Sequence, residues 1–167
     1  MCTLLFKKMA VCLAAVCLAL SAGAQTNDFD KFANIKGVEY VHVDKNMIEL
    51  AAKNGESIKN GDNIIIGDAS GEILRQVDDV KVFTCKQGKA ATKLKKGVLA
   101  LLKKEEYHSL IDMTEGEAKV KISQSHEDGK TQNIVFVEGE EDQETVLVVI
   151  EGTLDIAKLM EQQANED

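Results

Sequence analysis

Histidines, cysteines and clustered carboxylates are the side chains with which a chain of this size could do chemistry, and here they are scattered. His42, His108 and His126 each stand alone in the sequence. A zinc site needs about four converging Cys, His or acidic ligands, and no pair has a ligand spacing such as His-x-x-x-His, so solvated or packed histidines are the simpler reading. Cys85 beside a histidine would make a thiol nucleophile. It falls in an apolar strand with no Gly-rich turn next to it, which favours a buried structural thiol. The densest acidic run is Glu138 followed by Gly139-Glu140-Glu141-Asp142-Gln143-Glu144. Its oxygens do not follow the Asp-x-Asx-x-Asx-Gly alternation of a calcium loop, so a solvated hairpin loop is the better reading. Gly61-Asp62-Asn63 and Gly67-Asp68-Ala69-Ser70-Gly71 are turn chemistry without the spacing of a phosphate-cradling loop. Neither Ser-x-x-Lys nor Gly-x-Ser-x-Gly occurs. No catalytic, cofactor-binding or metal-ligating residue is assigned, no cofactor is implied, and the expectation is a protein that is not an enzyme.

The N-terminus has a different kind of signal. Lys7 and Lys8 precede the apolar stretch Met9–Leu20, and Ser21-Ala22-Gly23-Ala24 supplies small residues where a signal peptidase needs them. Residues 1–24 read as a secretory signal peptide cleaved after Ala24. The apolar stretch falls short of the ~20 residues that span a bilayer, so no transmembrane span is expected in the mature chain. Lipidation at Cys12 or Cys17 is the alternative, disfavoured because Val11 and Val16 precede them where a small residue is required. Export removes Cys2, Cys12 and Cys17 and leaves Cys85 without an intramolecular partner. It removes two lysines and no acidic residue, so 18 basic and 28 acidic residues remain, a net charge of −10. That charge repels nucleic acid and anionic headgroups except at a local basic patch.

Hydrophobic periodicity then places the elements. Residues 25–34 read as a flexible leader with Phe29 and Phe32 as anchors, and residues 35–167 as a single α+β domain. Val38–Val43 reads as a strand. Asp44 is placed to cap a helix over Lys45–Lys53 that Asn54-Gly55 ends. Glu56–Asp62 reads as loop, Asn63–Ile66 as a short strand or turn, and Ala69–Gln76 as a short helix. Asp79–Cys85 reads as a strand with Val80 and Val82 on one side and Phe83 and Cys85 on the other. Ala90–Tyr107 is the strongest helix, with Leu94, Val98, Leu101 and Leu102 on one face and lysines on the rest. Those lysines could meet an acidic partner or headgroups, though Glu105 and Glu106 and the overall charge favour a solvated face. Gly97 interrupts this helix, and close approach to a sheet would account for it.

From Ser109 onward four strand candidates follow: Ser109–Met113, Ala118–Gln124, Gln132–Glu138 and Thr145–Glu151. Polar turns separate them, which predicts a C-terminal four-strand meander. Thr145–Glu151 is apolar on both faces and reads as interior. Val120 and Ile122 alternate with Lys119, Lys121 and Ser123, which suggests one wet face near a sheet edge. Thr153 is expected to cap a last helix. The resulting architecture is a mostly antiparallel sheet with the helices packed on one face.

The chain resembles a family of small exported proteins of unknown function from Bacteroides-type bacteria. The resemblance rests on the signal peptide, Ile35-Lys36-Gly37-Val38, Lys45-Asn46-Met47-Ile48, Val77-Asp78-Asp79-Val80-Lys81-Val82 and Glu105-Glu106-Tyr107. It extends to Val120-Lys121-Ile122, Asn133-Ile134-Val135-Phe136-Val137 and Val148-Val149-Ile150-Glu151-Gly152-Thr153-Leu154-Asp155. It implies no activity and carries over no site residue. The expected function is an exported periplasmic or cell-envelope protein that binds an envelope protein partner without catalysis. The alternative is a periplasmic carrier of a small apolar ligand, lined by Met47, Leu101 and Met160, which as plain core residues have a blander explanation. No nucleic-acid partner is expected, and no oligomeric state is implied.

Overall fold

The computed structural model describes residues 28–54, 58–60, 63–66, 71–104, 107–139 and 144–164. The expected signal peptide and its cleavage site, Glu105, Glu106 and the acidic run 140–143 lie outside them, as do Asp62 and residues 67–70. The chain falls into two compact units, Met1–Asp30 and Lys31–Asp167. In the first, Phe29 is buried. The second holds the sheet.

Among the described residues, eight strands and four α-helices follow a 3-10 turn over Asp30–Asn34. In chain order they are β1 (Glu39–Asp44), α1 (Lys45–Asn54), β2 (Ile58–Asn60), β3 (Asn63–Ile66), α2 (Gly71–Leu74) and β4 (Val77–Lys86). Then come α3 (Lys89–Lys104), β5 (His108–Glu115), β6 (Ala118–Glu127), β7 (Lys130–Glu138), β8 (Glu144–Gly152) and α4 (Ile156–Ala164). Six strands form one antiparallel sheet in the order β1-β4-β8-β7-β6-β5, and β2 and β3 pair as a separate hairpin. The expected α+β class is the one observed. Strand β2 forms inside the segment read as loop.

Thr145–Glu151 lies inside β8, between β4 and β7, and its two apolar faces have different cover. On the first face, Phe83 pairs with Leu147, Leu147 with Phe136, and Val149 with Ile134. Helix α3 lies over this face: Lys95 Nζ donates to Glu138 Oε1 at 2.6 Å, and Gln87 just before the helix donates to Thr145 Oγ1 at 3.2 Å. Ala91, Leu94, Val98 and Leu101 are its buried residues. Burial of each larger one contributes roughly 1.5–3 kcal/mol before chain entropy. On the second face, Val43, Val80 and Val77 form a cluster with Ile48 of α1, Leu74 of α2 and Leu154 ahead of α4.

The helices therefore cover both faces, not one. The physical reason is in β4 and β8 themselves: central strands with β-branched residues on both sides leave apolar area on whichever face is bare. β6 lies near the edge of the sheet, as its lysines suggested. β5 is the outer strand, and β6 lies between β5 and β7.

Three local details fix the elements. Met47 N–H donates to Asp44 Oδ1 at 3.0 Å, so Asp44 caps α1. Asp155, not Thr153, caps α4: its Oδ1 accepts from Lys158 N–H at 3.2 Å. Thr153 is spent otherwise, its N–H donating at 2.8 Å to Gln76 O, with Leu154 N–H donating to the same oxygen at 3.2 Å. Gly152 permits this, because a Cβ there would run into the Gln76 carbonyl.

Candidate functional site

The second face carries the candidate site, which register builds row by row. Val41 pairs with Val82, Val82 with Val148, Val148 with Val135, Val135 with Ile122, and Ile122 with Ile111. One row of β-branched residues thus crosses all six strands. A second row runs Val146, Val137, Val120 and Met113 across β8, β7, β6 and β5. The helical cluster takes in Val41, Val82 and Val148 from the first row, and it includes no residue of β5, β6 or β7. Val120, Ile122, Val135, Val137 and Ile111 are half-buried by their neighbours in the sheet, and Met113 is 49% exposed. The two rows contain no charged residue.

On the opposite face β5 and β6 are polar, whereas β7 and β8 place buried Ile134, Phe136, Leu147 and Val149 there. Lys121 forms an ion pair with Asp112 across β5 and β6, and Lys119 is exposed. Ser123 on that face is buried, so wet character is confined to its Lys119–Lys121 end.

A buried polar network marks where helical cover ends. Gln124 Nε2 donates to Asn133 Oδ1 at 2.8 Å and to Asp155 Oδ1 at 3.2 Å, and Asn133 Nδ2 donates to Leu154 O at 2.9 Å. Asn133 is wholly buried and Gln124 nearly so. These bonds tie the start of α4 to β6 and β7 and satisfy groups that would be costly to bury alone. Burial pushes the Asp155 carboxyl upward, but hydrogen bonds from Lys158 N–H, the Lys158 ammonium and Gln124, with the Lys158 charge, hold it below its ordinary value.

The histidines do not meet. His42 is on one edge strand, His108 on the other, and His126 near the end of β6, where Thr131 Oγ1 lies 3.2 Å from its Nδ1. His42 does acquire partners that sequence alone misses. Its Nε2 bonds Asp79, its ring stacks on Tyr40 at 6.4 Å between centroids, and Lys81 Nζ stands 3.9 Å from Asp79 Oδ2. Lys81 is its cross-strand partner, and pairing across about forty residues has no local signal. Next to this group, Lys45 donates to Asp78 at 2.7 Å, and that bond raises the lysine pKa, aided by the Asp78 charge. Among the described residues, no three His, Cys, Asp or Glu side chains converge to hold a metal.

Cys85 is buried and free, paired in register with Thr145. Burial pushes its thiol pKa up, and the Glu144 carboxylate adds to the rise, the reverse of what an attacking thiolate needs. Glu138 of the acidic stretch is engaged by Lys95. The three residues offered as a carrier lining do not line one space. Leu101 is in the α3 core, while Met47 and Met160 are 51% and 38% exposed on helices of the other face. Two clefts of about 380 and 330 Å³ are lined by Glu72, Gln76, Asp155 and Lys158, and by Thr92, Lys95, Lys96 and Glu138. Each mixes these polar and charged side chains with apolar ones, Ile73 and Leu159 in the first and Ala91 and Leu99 in the second. Among the described residues, no helix is long and apolar enough to cross a membrane.

A six-stranded antiparallel sheet with helices on both faces defines an α+β domain. The chain belongs to the family described as Domain of unknown function (DUF4252), which matches residues 32–162. No curated protein sequence matches it.

Proposed function

We propose that this chain is an exported protein of the Bacteroides-type cell envelope that acts without catalysis, receiving an amphipathic helix of a protein partner on its bare half-sheet. The observation that carries the reading is the aliphatic row running from Val41 to Ile111, which passes from under helices into the open with no change in chemistry. What suits the open half is what covers the other half, an amphipathic helix. Size agrees. Three strands at about 4.8 Å spacing are about 14 Å wide, which accommodates one helix of about 10–12 Å diameter. The meander β5–β8 presents the surface, and the signal-like N-terminus supports export.

Native mass spectrometry of protein released gently from its own envelope, followed by cross-linking, tests this. The expected result is a stoichiometric second polypeptide, cross-linked through a helical segment to β5–β7 and lost in Ile122→Asp with the domain still folded. A small adduct lost on denaturation would replace the reading with the apolar carrier. A bare monomer, or a partner retained by Ile122→Asp, overturns it.

A further inference from the structure

Helix α3 has a charge pattern unlike the rest of the molecule. It holds six lysines and no acidic residue in sixteen positions, in a chain with 28 acidic and 20 basic residues. Its inner face is used up by Ala91, Leu94, Val98 and Leu101. Lys89, Lys93, Lys96 and Lys103 lie at i, i+4, i+7 and i+14, and exposed Ala100 fills the i+11 position. At 1.5 Å rise per residue this is one straight stripe about 21 Å long. Lys95, off the stripe, pairs with Glu138. None of the ion pairs among the described residues engages the four stripe lysines.

We infer that this stripe docks the protein electrostatically on the anionic headgroups of a phospholipid bilayer. An acidic protein is the rival occupant. Recognition of discrete carboxylates favours the planar, bidentate fork of Arg, whereas the stripe holds only Lys, a compact and strongly hydrated point charge. Evenly spaced point charges along a straight, convex ridge suit a plane of diffuse negative charge. The apolar side of α3 is spent in the core, so the helix lies on the headgroups and inserts nothing. The overall negative charge does not prevent contact. At about 0.15 M salt the screening length is about 8 Å, so a membrane touching the ridge is governed by the nearest charges. The stripe is on the face opposite the bare half-sheet, so membrane contact leaves that surface open, and the inference stands independently of the proposed partner.

The test is co-sedimentation of the protein, produced from the full sequence and purified in the form the cell yields, with vesicles. Phosphatidylcholine vesicles are compared with vesicles containing about 30 mol % phosphatidylglycerol. Binding is expected on the anionic vesicles only, with release at about 1 M salt. Lys93→Gln with Lys96→Gln should lower the binding constant about 10–30-fold, at roughly 1 kcal/mol per lysine. Lys89→Gln with Lys103→Gln should do likewise, which guards against a fold defect in either variant. Equal binding to both vesicles, or indifference to both variant pairs, overturns the inference. So does a salt-sensitive polypeptide partner that depends on these lysines while the vesicles bind nothing, which would assign the stripe to an acidic protein.

Discussion

The covered and open halves of one sheet face are built from the same residues. Val82 and Val148 pack against the cluster that holds Ile48, Leu74 and Leu154, while Val135 and Ile122, next in the same row, do not belong to it. Strand propensity cannot distinguish the halves, because a β-branched side chain suits the pleat in either place. What differs is desolvation, and desolvation decides what a side chain contributes to stability. The covered half is sealed by helices, whereas among the described residues the other half keeps half-buried apolar area that the proposed partner would use.

Truncation should expose this difference most strongly. Ile48, wholly buried in the covered half, should cost about 2–5 kcal/mol as Ile48→Ala. Ile122→Ala, half-buried in the open half, should cost about 1 kcal/mol or less. Urea unfolding of the two variants measures both. A loss at Ile122 as large as at Ile48 would mean the open half already has cover in the free protein, and the contrast would collapse.

The other face tests how closely its cover fits. A Cβ on Gly97 of α3 would run into the ring of Phe32, which is itself buried and packs edge-on to Phe83 at 6.0 Å between centroids. Gly→Ala in an open helix gains about 1 kcal/mol. Here the sign should reverse, with Gly97→Ala costing about 1–3 kcal/mol through overpacking. Phe32→Ala in the same chain should restore the helical gain, so the double-mutant cycle should show coupling well above experimental error. Additive behaviour would mean Phe32 swings aside freely.

Much of the local structure was legible because its causes are local. The alternation of Val80 and Val82 against Phe83 and Cys85 is the observed facing, and Asp44 is the observed cap. The strands from Ser109 onward fall within a few residues of their apolar runs, with β8 ending at Gly152. What escaped depends on partners distant in sequence. Helices reading as one-sided in isolation divide between two faces, because each follows its own strand's bare side. The lysines of β6 announced a place near the sheet edge, but nothing in either strand records that β5 takes the outer position. Gly97 answers to a phenylalanine 65 positions earlier rather than to the sheet. Thr153 and Asp155 are both fit to cap a helix, and the helix starts just after Asp155, whose Oδ1 accepts from Lys158 N–H. The open half-sheet was half legible, since Val120, Ile122 and the two-sided Ile134–Val137 run announced apolar faces without saying which would lack cover.

The smallest effect belongs to the boundary between the halves, where Asp155 joins α4 to Gln124. Its carboxyl pKa is lowered in the folded chain from an ordinary 3.8, so the folded state favours the ionised form. The stability this contributes is present above the unfolded value and is lost as pH falls through the folded one. Asp155→Asn keeps a capping oxygen and should cost less than about 1 kcal/mol at neutral pH, because Asn and Asp cap almost equally well. The variants should therefore differ in slope more than in level. From pH 5 downward the wild type should lose its advantage over Asp155→Asn, and below the folded pKa the two unfolding free energies should converge. Parallel curves would mean that the carboxylate titrates alike folded and unfolded, and that neutral hydrogen bonds alone pin α4 at the edge of the covered half.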